Sequence, residues 1–327
     1  MKKIVVAVTG ANGHIGNNLC RALLGKGLEV RALINKNDSA LNGLGLLKVK
    51  GSVTDRESLV DLIDGADYVF HLAAIISIGE LSKKKLFEVN VEGTKNVVNL
   101  CKQFAVKRLI HFSSIHALDS RFAGAINEET PLAGADASFY DRSKAEAERI
   151  VLNASGKGLN TIILNPTAVV GPDDFIPSKV GEMIIKVAKG KLPFIIKGAY
   201  DWVDVRDLTQ AAVNAMTQGR SSERYIIGGE WGSLKHVTEV VAIKANRRKP
   251  IVVPLFLAKI GLPFIHAYSY LTHSKMLYTN EVLNIVFGNS DIVSDKAKKE
   301  LGFKNRPLSE SFIDAYKWFV DNKYINT

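Results

Sequence analysis

Short apolar, β-branched runs alternate with stretches of helical period along the first half of this chain. Residues 4–8 (IVVAV) read as a fully buried strand. From His14 the apolar positions Ile15, Leu19, Ala22 and Leu23 recur with helical period, and Gly25 and Gly27 stop that helix. Residues 28–34, 46–50, 67–72, 108–112 and 161–164 read as five further strands. Between them lie helical stretches. One is opened by a capping box at Thr54 to Glu57, turns Leu59, Leu62 and Ile63 inward and stops at Gly65. Two longer ones cover 82–104 and 138–153. This rhythm predicts an α/β protein, with parallel βαβ units in a doubly wound Rossmann sheet.

Beyond residue 170 the alternation breaks up. Residues 179–189, 207–216 and 309–320 read as helices, and 202–205 and 224–227 as short strands. The expected organisation is a dinucleotide-binding domain over 1–170, with 201–228 returning to it. Residues 171–200 and 229–327 would form a smaller C-terminal substrate lobe, with the pocket between the two.

Composition fits this picture. The chain has 327 residues, 46% hydrophobic and 23% charged, as in a soluble globular protein with a sizeable core. The first apolar run is short and leads straight into a glycine turn, so no signal peptide is expected. Cys20 and Cys101 sit in apolar helical patterns and read as buried, reduced thiols, hence a cytoplasmic protein. Cys and His show no metal-ligand spacing, and no metal is expected. The net charge of +10 is scattered, with short clusters at Lys83-Lys84-Lys85 and Arg247-Arg248-Lys249. These read as solvated faces, and no nucleic-acid partner is expected. Residues 251–271 are apolar and aromatic, but Pro254, Lys259, Pro263 and His266 interrupt them. They are too broken to span a membrane and read as a helix over the pocket, with peripheral membrane contact as the alternative.

The chemistry begins at Gly10, Gly13 and Gly16, spaced G-x-x-G-x-x-G between the first strand and the first helix. Such a turn presents backbone N–H groups to a pyrophosphate at a helix N-terminus. Gly10, Asn12, Gly13, His14, Ile15 and Gly16 are therefore cofactor candidates. The second strand ends at Ile34, Asn35 and Lys36, where an acidic residue would favour NAD. With no carboxylate there, and Arg31 and Lys36 near, NADP is favoured over NAD. Small residues Ala73 and Ala74 follow the fourth strand, where a cofactor can lie close. Tyr140 and Lys144 lie four apart on one helix face. A nearby ammonium lowers a phenol's pKa and tunes it for proton exchange with a carbonyl or alcohol oxygen. Ser114, at the end of the fifth strand, could hydrogen-bond the same oxygen.

Taken together, these motifs make the chain similar to the extended short-chain dehydrogenases/reductases, also called the NAD-dependent epimerase/dehydratase superfamily. It most resembles the dihydroflavonol 4-reductase-like and 3β-hydroxysteroid dehydrogenase-like branch. The carrying segments are TGANGHIG (9–16), HLAA (71–74), NVEGTKNVV (90–98), HFSS (111–114), YDRSK (140–144), NPTAVVGP (165–172) and WVDVRDL (202–208). The resemblance implies Ser114, Tyr140 and Lys144 as catalytic residues, with Asn90 ordering the lysine side. It implies Ser52 and Val53 at the adenine, Leu72, Ala73 and Ala74 along the cofactor, and Pro166, Thr167 and Ala168 beside the nicotinamide. Four departures matter. Ser52 stands where relatives often carry aspartate, and Asn35 where NADP-preferring reductases often carry arginine. Ile115 and His116 replace the Asp-Glu pair of dehydratases, which disfavours dehydration. Tyr200 stands where nucleotide-sugar enzymes hold a diphosphate with arginine.

The candidate substrate wall is Ile75, Ile76, Ile115, Phe139, Phe175 and Ile176, with His116 as a further contact. The expected activity is hydride transfer between NADP, or NAD, and the carbonyl or secondary alcohol of an apolar small molecule. The rivals are a nucleotide-sugar epimerase with tightly held NAD and, less favoured, a non-catalytic NADP(H) sensor. Relatives also imply a homodimer through the helices at 82–104 and 138–153.

Overall fold

The computed structural model describes residues 3–76, 83–254 and 291–326. Its main sheet contains β1 (Val5–Thr9), β2 (Glu29–Ile34), β3 (Leu47–Lys50), β4 (Tyr68–His71), β5 (Arg108–Phe112), β6 (Thr161–Pro166) and β10 (Glu223–Ile227). The order across the sheet is β10-β6-β5-β4-β1-β2-β3, and each neighbouring pair is parallel. β1 and β6 are buried along their whole length, which suits the apolar runs at Val5–Val8 and Ile162–Leu164 within them. Strand alternation splits β1 between two cores. Val6 and Val8 pack with Leu19 and Leu23 of α1 (His14–Gly25) and Leu208 of α7 (Val205–Asn214). Val5 and Ala7 pack with α2 (Arg56–Ile63), α4 (Gly93–Gln103) and α5 (Phe139–Ser155), through Leu59, Val97 and Val151.

A short helix α3 (Lys83–Phe87) passes through a π turn, Glu88–Glu92, into α4. The predicted start of α2 shifts by one residue. The Ser52 hydroxyl holds Thr54 through its own hydroxyl (2.9 Å) and accepts from its N–H (3.3 Å). Asp55 is therefore the N-cap and accepts from the Glu57 N–H at 3.1 Å.

The remaining strands form two small sheets. β7 (Ala168–Val170), β9 (Ala199–Asp204) and β11 (Glu230–Ser233) form one, in the order β11-β9-β7. β8 (Phe194–Ile196) and β12 (Ile251–Val253) form the other, in parallel. Three helices, α6 (Lys179–Ala188), α8 (Leu234–Lys244) and α10 (Leu308–Asp321), close a third core around Ile184, Trp202, Val237 and Phe312. α9 (Asp295–Leu301) instead adds Ala297 and Leu301 to the main core. The strand expected at 202–205 begins earlier, at Ala199, and Asp204 ends it as the N-cap of α7. Of the apolar stretch 251–271, all beyond Pro254 lies outside the described residues. Among the described residues, no helix is long and apolar enough to cross a membrane.

Sheet order reverses between β1 and β4: β1 continues to β2, and β4 to β5. Ligands of open α/β sheets bind outside the carboxyl ends of the strands at such a switch point. Thr9 closes this point: its hydroxyl accepts from the N–H groups of Leu72 and Ala73, each at 3.2 Å.

Candidate active site

The glycine turn is built to bring β1, α1 and the end of β4 together. Gly10 has φ +71°, and a Cβ there would lie 2.7 Å from the Ala73 nitrogen. A Cβ on Gly16 would lie 2.1 Å from the Gly10 carbonyl oxygen. Gly13 is different: it is exposed, and its Cβ would meet nothing nearer than the Gly10 oxygen at 3.4 Å. It is also the N-cap of α1 and offers no side-chain acceptor to the first N–H groups of that helix. A cradle kept clear of side chains, at an uncapped helix N-terminus, fits a pyrophosphate.

Polar side chains lock this turn. Asn12 Oδ1 accepts from the Ala40 N–H (3.0 Å). The His14 ring is hydrogen-bonded to the Pro172 carbonyl (2.9 Å), and Asn17 donates to the Asp173 carbonyl (2.9 Å). The Asn12 and His14 side chains are thus engaged within the protein, while the backbone of Gly13, His14, Ile15 and Gly16 forms the helix start. At the end of β2, Ile34 is buried and Asn35 and Lys36 are exposed. Asp38, the next carboxylate along, is paired with Lys48 at 2.9 Å. Ser52 is engaged with Thr54 and Ser58, and the Val53 carbonyl accepts from Asn96 at 3.0 Å.

Ser114 follows β5 and caps a short 3-10 turn by accepting from the His116 N–H at 3.2 Å. Tyr140 begins α5, one residue inside a helix capped by Ser138. Burial pushes the Tyr140 phenol up to about 12, with the Ser114 hydroxyl pulling the other way by hydrogen bonding and the Asp141 charge adding to the rise. The sequence predicts the opposite direction, with Lys144 lowering this pKa. The reason lies in where Lys144 points: it is buried and donates to the Phe112 carbonyl at 2.9 Å. Burial lowers the Lys144 ammonium to about 8, partly opposed by the carboxylate of Glu148.

Asn90 lies in the π turn and is also buried. Its side chain accepts from the Ile75 N–H (2.7 Å) and donates to the Ile75 carbonyl (3.0 Å) and the Ser143 hydroxyl (3.0 Å). It therefore ties the segment after β4 to the helix that carries Tyr140 and Lys144. Behind Lys144, His71 and His111 stand with ring centroids 5.3 Å apart. His71 is hydrogen-bonded to Thr9 (2.7 Å) and Thr94 (2.9 Å), and burial lowers it to about 3, with the Lys144 charge assisting. His111 is lowered for the same reasons.

Several candidate wall residues surround this centre. Ile75 and Ile115 are half-buried beside Asn90 and Ser114, and Ile76 is exposed. The His116 ring lies edge-on to Tyr140 at 6.0 Å, with Nδ1 3.5 Å from Asp141. Burial lowers the His116 pKa, opposed by Asp141. Phe139 is exposed and lies under the Lys83 ammonium at 3.9 Å. Phe175 lies 4.9 Å edge-on to Trp318 of α10 with the Arg21 guanidinium 5.3 Å from its ring centroid, and its neighbour Ile176 is exposed. Pro166 ends β6, Thr167 is buried and Ala168 starts β7, so this segment joins the two parts of the molecule.

One further group is absent from the sequence reading. Glu148 is fully buried and lies one helical turn beyond Lys144. It accepts from the Ser113 hydroxyl (2.5 Å) and Asn165 Nδ2 (2.8 Å), and pairs with Arg224 of β10 (2.9 Å). Asn165 Nδ2 also donates to the Ser114 carbonyl at 3.0 Å. Glu148 thus holds the backbone beneath Ser114 from behind. Its signal was present as an acid on the buried face of α5, at the i, i+4, i+8 spacing of Tyr140, Lys144 and Glu148.

The chain as a whole is similar to known proteins. The profile of the NAD dependent epimerase/dehydratase family matches residues 6–228. Sterol demethylase protein B of Methylococcus capsulatus is 32% identical over 97% of this chain and 99% of its own length. A ketoreductase of Stigmatella aurantiaca, named for a 4-hydroxy-2-methyl-3-oxo-4-farnesyl-3,4-dihydroquinoline-1-oxide, is 27% identical over 95% of both chains. The crystal structure of gox2253 superposes with a TM-score of 0.84, at 29% identity over 99% of this chain and 100% of the other.

Proposed function

We propose that this chain, which belongs to the NAD dependent epimerase/dehydratase family, reduces the carbonyl group of an apolar small molecule. It is an oxidoreductase of the extended short-chain dehydrogenase/reductase type, acting between CH–OH and C=O. The observation that carries this reading is the pairing of the Tyr140 phenol with the Ser114 hydroxyl by a hydrogen bond, on the helix that also carries Lys144. A phenol placed beside a second hydroxyl can exchange a proton with a carbonyl or alcohol oxygen that both groups hold. Ser114 donates a hydrogen bond to the same oxygen. Lys144 keeps a positive charge beneath the site. When bound, the nicotinamide supplies the hydride in this direction and takes it up in the other.

Gly10, Gly13 and Gly16 with the start of α1 are the proposed pyrophosphate cradle, and Leu72 to Ala74 and Pro166 to Ala168 the walls along the cofactor. NADP is the proposed preference, supported by the exposed Asn35 and Lys36 and by the pairing of Asp38 with Lys48. Ile75, Ile76, Ile115 and Phe139 are the proposed apolar wall, between the domain of the main sheet and the lobe built on α6, α8 and α10. The names of the two relatives, one a sterol protein and one a farnesylated ketone's reductase, support an apolar substrate. The buried free thiols of Cys20 and Cys101 support a cytoplasmic setting, and a homodimer through the α4–α5 side remains part of the proposal.

The test is NADPH consumption against a panel of apolar ketones by the wild type and by Tyr140→Phe. Turnover should fall by about 10²–10⁴ in the variant. Cofactor affinity should stay within a few-fold. A variant that keeps most of its activity sinks the assignment of Tyr140.

A further inference from the structure

One end of the lobe carries charge and exposed apolar surface that the active site does not use. α6 and α8 finish side by side there: Arg247, just past α8, donates from Nε to the carbonyl of Ala188 at the end of α6 (3.1 Å). The two chains then turn into β8 and β12, whose first residues, Phe194 and Ile251, are register partners. The Ile251 N–H donates to the Pro193 carbonyl at 2.8 Å, which fixes the pair at the tip.

The composition of this tip is one-sided. Residues 183–200 hold four lysines and no acid, and residues 240–254 hold four basic residues and no acid. Lys189, Lys191, Lys244, Arg247, Arg248 and Lys249 are all exposed. A cation in the last turn of a helix complements its dipole, and Lys186 and Lys244 already occupy those turns. Arg247 serves the end of α6 through its bond to the Ala188 carbonyl, while Lys191, Arg248 and Lys249 lie beyond the helix ends. One has an acidic partner: Lys249 lies 3.9 Å from Glu239. Within this basic collar, Phe194 is 54% exposed, Ile251 62% and Ile243, in the last turn of α8, 64%. Large apolar side chains at such exposure, each within three residues of an exposed cation, mark an interaction surface rather than a solvated face.

We propose that this tip docks on the surface of an anionic lipid bilayer, with the cations on the headgroups and Phe194 and Ile251 inserted at the acyl boundary. The apolar pair selects against a nucleic-acid partner, which would use the charge and leave both side chains in water. A bilayer uses both features at once. The proposal does not depend on the hydride-transfer reading, because none of these residues belongs to the active site.

The test is sedimentation of the full-length chain with phosphatidylcholine vesicles, with and without phosphatidylglycerol, at low and high salt. Binding should require the anionic lipid and weaken with salt. Each cation near the surface is worth about five-fold in affinity, so Lys191→Glu with Arg248→Glu should cost at least about twenty-fold. Phe194→Ser with Ile251→Ser should weaken binding several-fold at unchanged salt dependence. Thermal midpoints and ketone reduction should stay unchanged in both pairs. A second readout needs no loss of function: Phe194→Trp should add emission that shifts to the blue with anionic vesicles. Equal binding to neutral vesicles overturns the proposal. So does binding that ignores both pairs of substitutions, or an oligonucleotide bound where vesicles are not.

Discussion

Tyr140, Lys144 and Glu148 are linked by spacing along one helix, and each depends on the next. Tyr140 needs its proton, Lys144 its charge, and Glu148 supplies part of the field that keeps that charge. The Lys144 ammonium titrates near 8, below the usual lysine range, so activity that needs it should fall as pH rises through about 8. Glu148→Gln removes the carboxylate that raises this pKa, so the alkaline limb of the kcat profile should move to lower pH. A purely structural role for Glu148 would lower stability and leave that limb in place. Glu148 escaped the sequence reading because its partners are remote: Ser113, Asn165 and Arg224 meet it only after β5, β6 and β10 align. Tyr140 and Lys144 were legible because their relation is local to one helix. The direction of the tyrosine's shift was not legible, since burial and the Lys144–Phe112 hydrogen bond are both tertiary.

At the scale of elements, the glycine turn separates folding from binding. Gly16→Ala would place a methyl 2.1 Å from the Gly10 carbonyl oxygen, so it should cost at least about 2 kcal/mol of stability. Gly13→Ala meets nothing closer than 3.4 Å and has an extended backbone, so its urea midpoint should stay near that of the wild type. Its affinity for NADPH should nevertheless drop, because the added methyl lies in the open cradle. The ends of β4 and β5 carry a second element-level consequence. His71 in the folded state titrates at about 3, below its usual 6.5. As pH falls below about 6.5 the unfolded chain takes a proton that the folded chain refuses, so this contribution to stability is present above that pH and lost progressively toward 3. His71→Asn should reduce the slope of unfolding free energy against pH by about 1.4 kcal/mol per pH unit between pH 6 and 4. The buried strands and amphipathic helices of the main sheet were legible from their periods. β7 and β12 have three residues each, too few to show one, and β11 (EWGS) has no apolar run; they exist because they pair with neighbours distant in sequence.

Across the whole molecule, the segment after β9 fastens the C-terminal helix to the Rossmann sheet. Asp204 is fully buried and pairs with Arg206 (2.8 Å), and Arg206 reaches Asp314 of α10 (2.9 Å). Arg306, just before α10, grips Asp207 of α7 at 2.7 Å. These ion pairs fix α10 and the segment before it against α7. The most direct test of the whole reading is the hydride balance of the purified protein: NADPH consumed against alcohol formed, with an apolar ketone, for wild type and Tyr140→Phe. The account predicts one alcohol per NADPH in the wild type, and a Tyr140→Phe protein that binds NADPH normally yet turns over at least about a hundred-fold more slowly. NAD that co-purifies, resists removal and supports no net reduction of any ketone would contradict it and point to an epimerase.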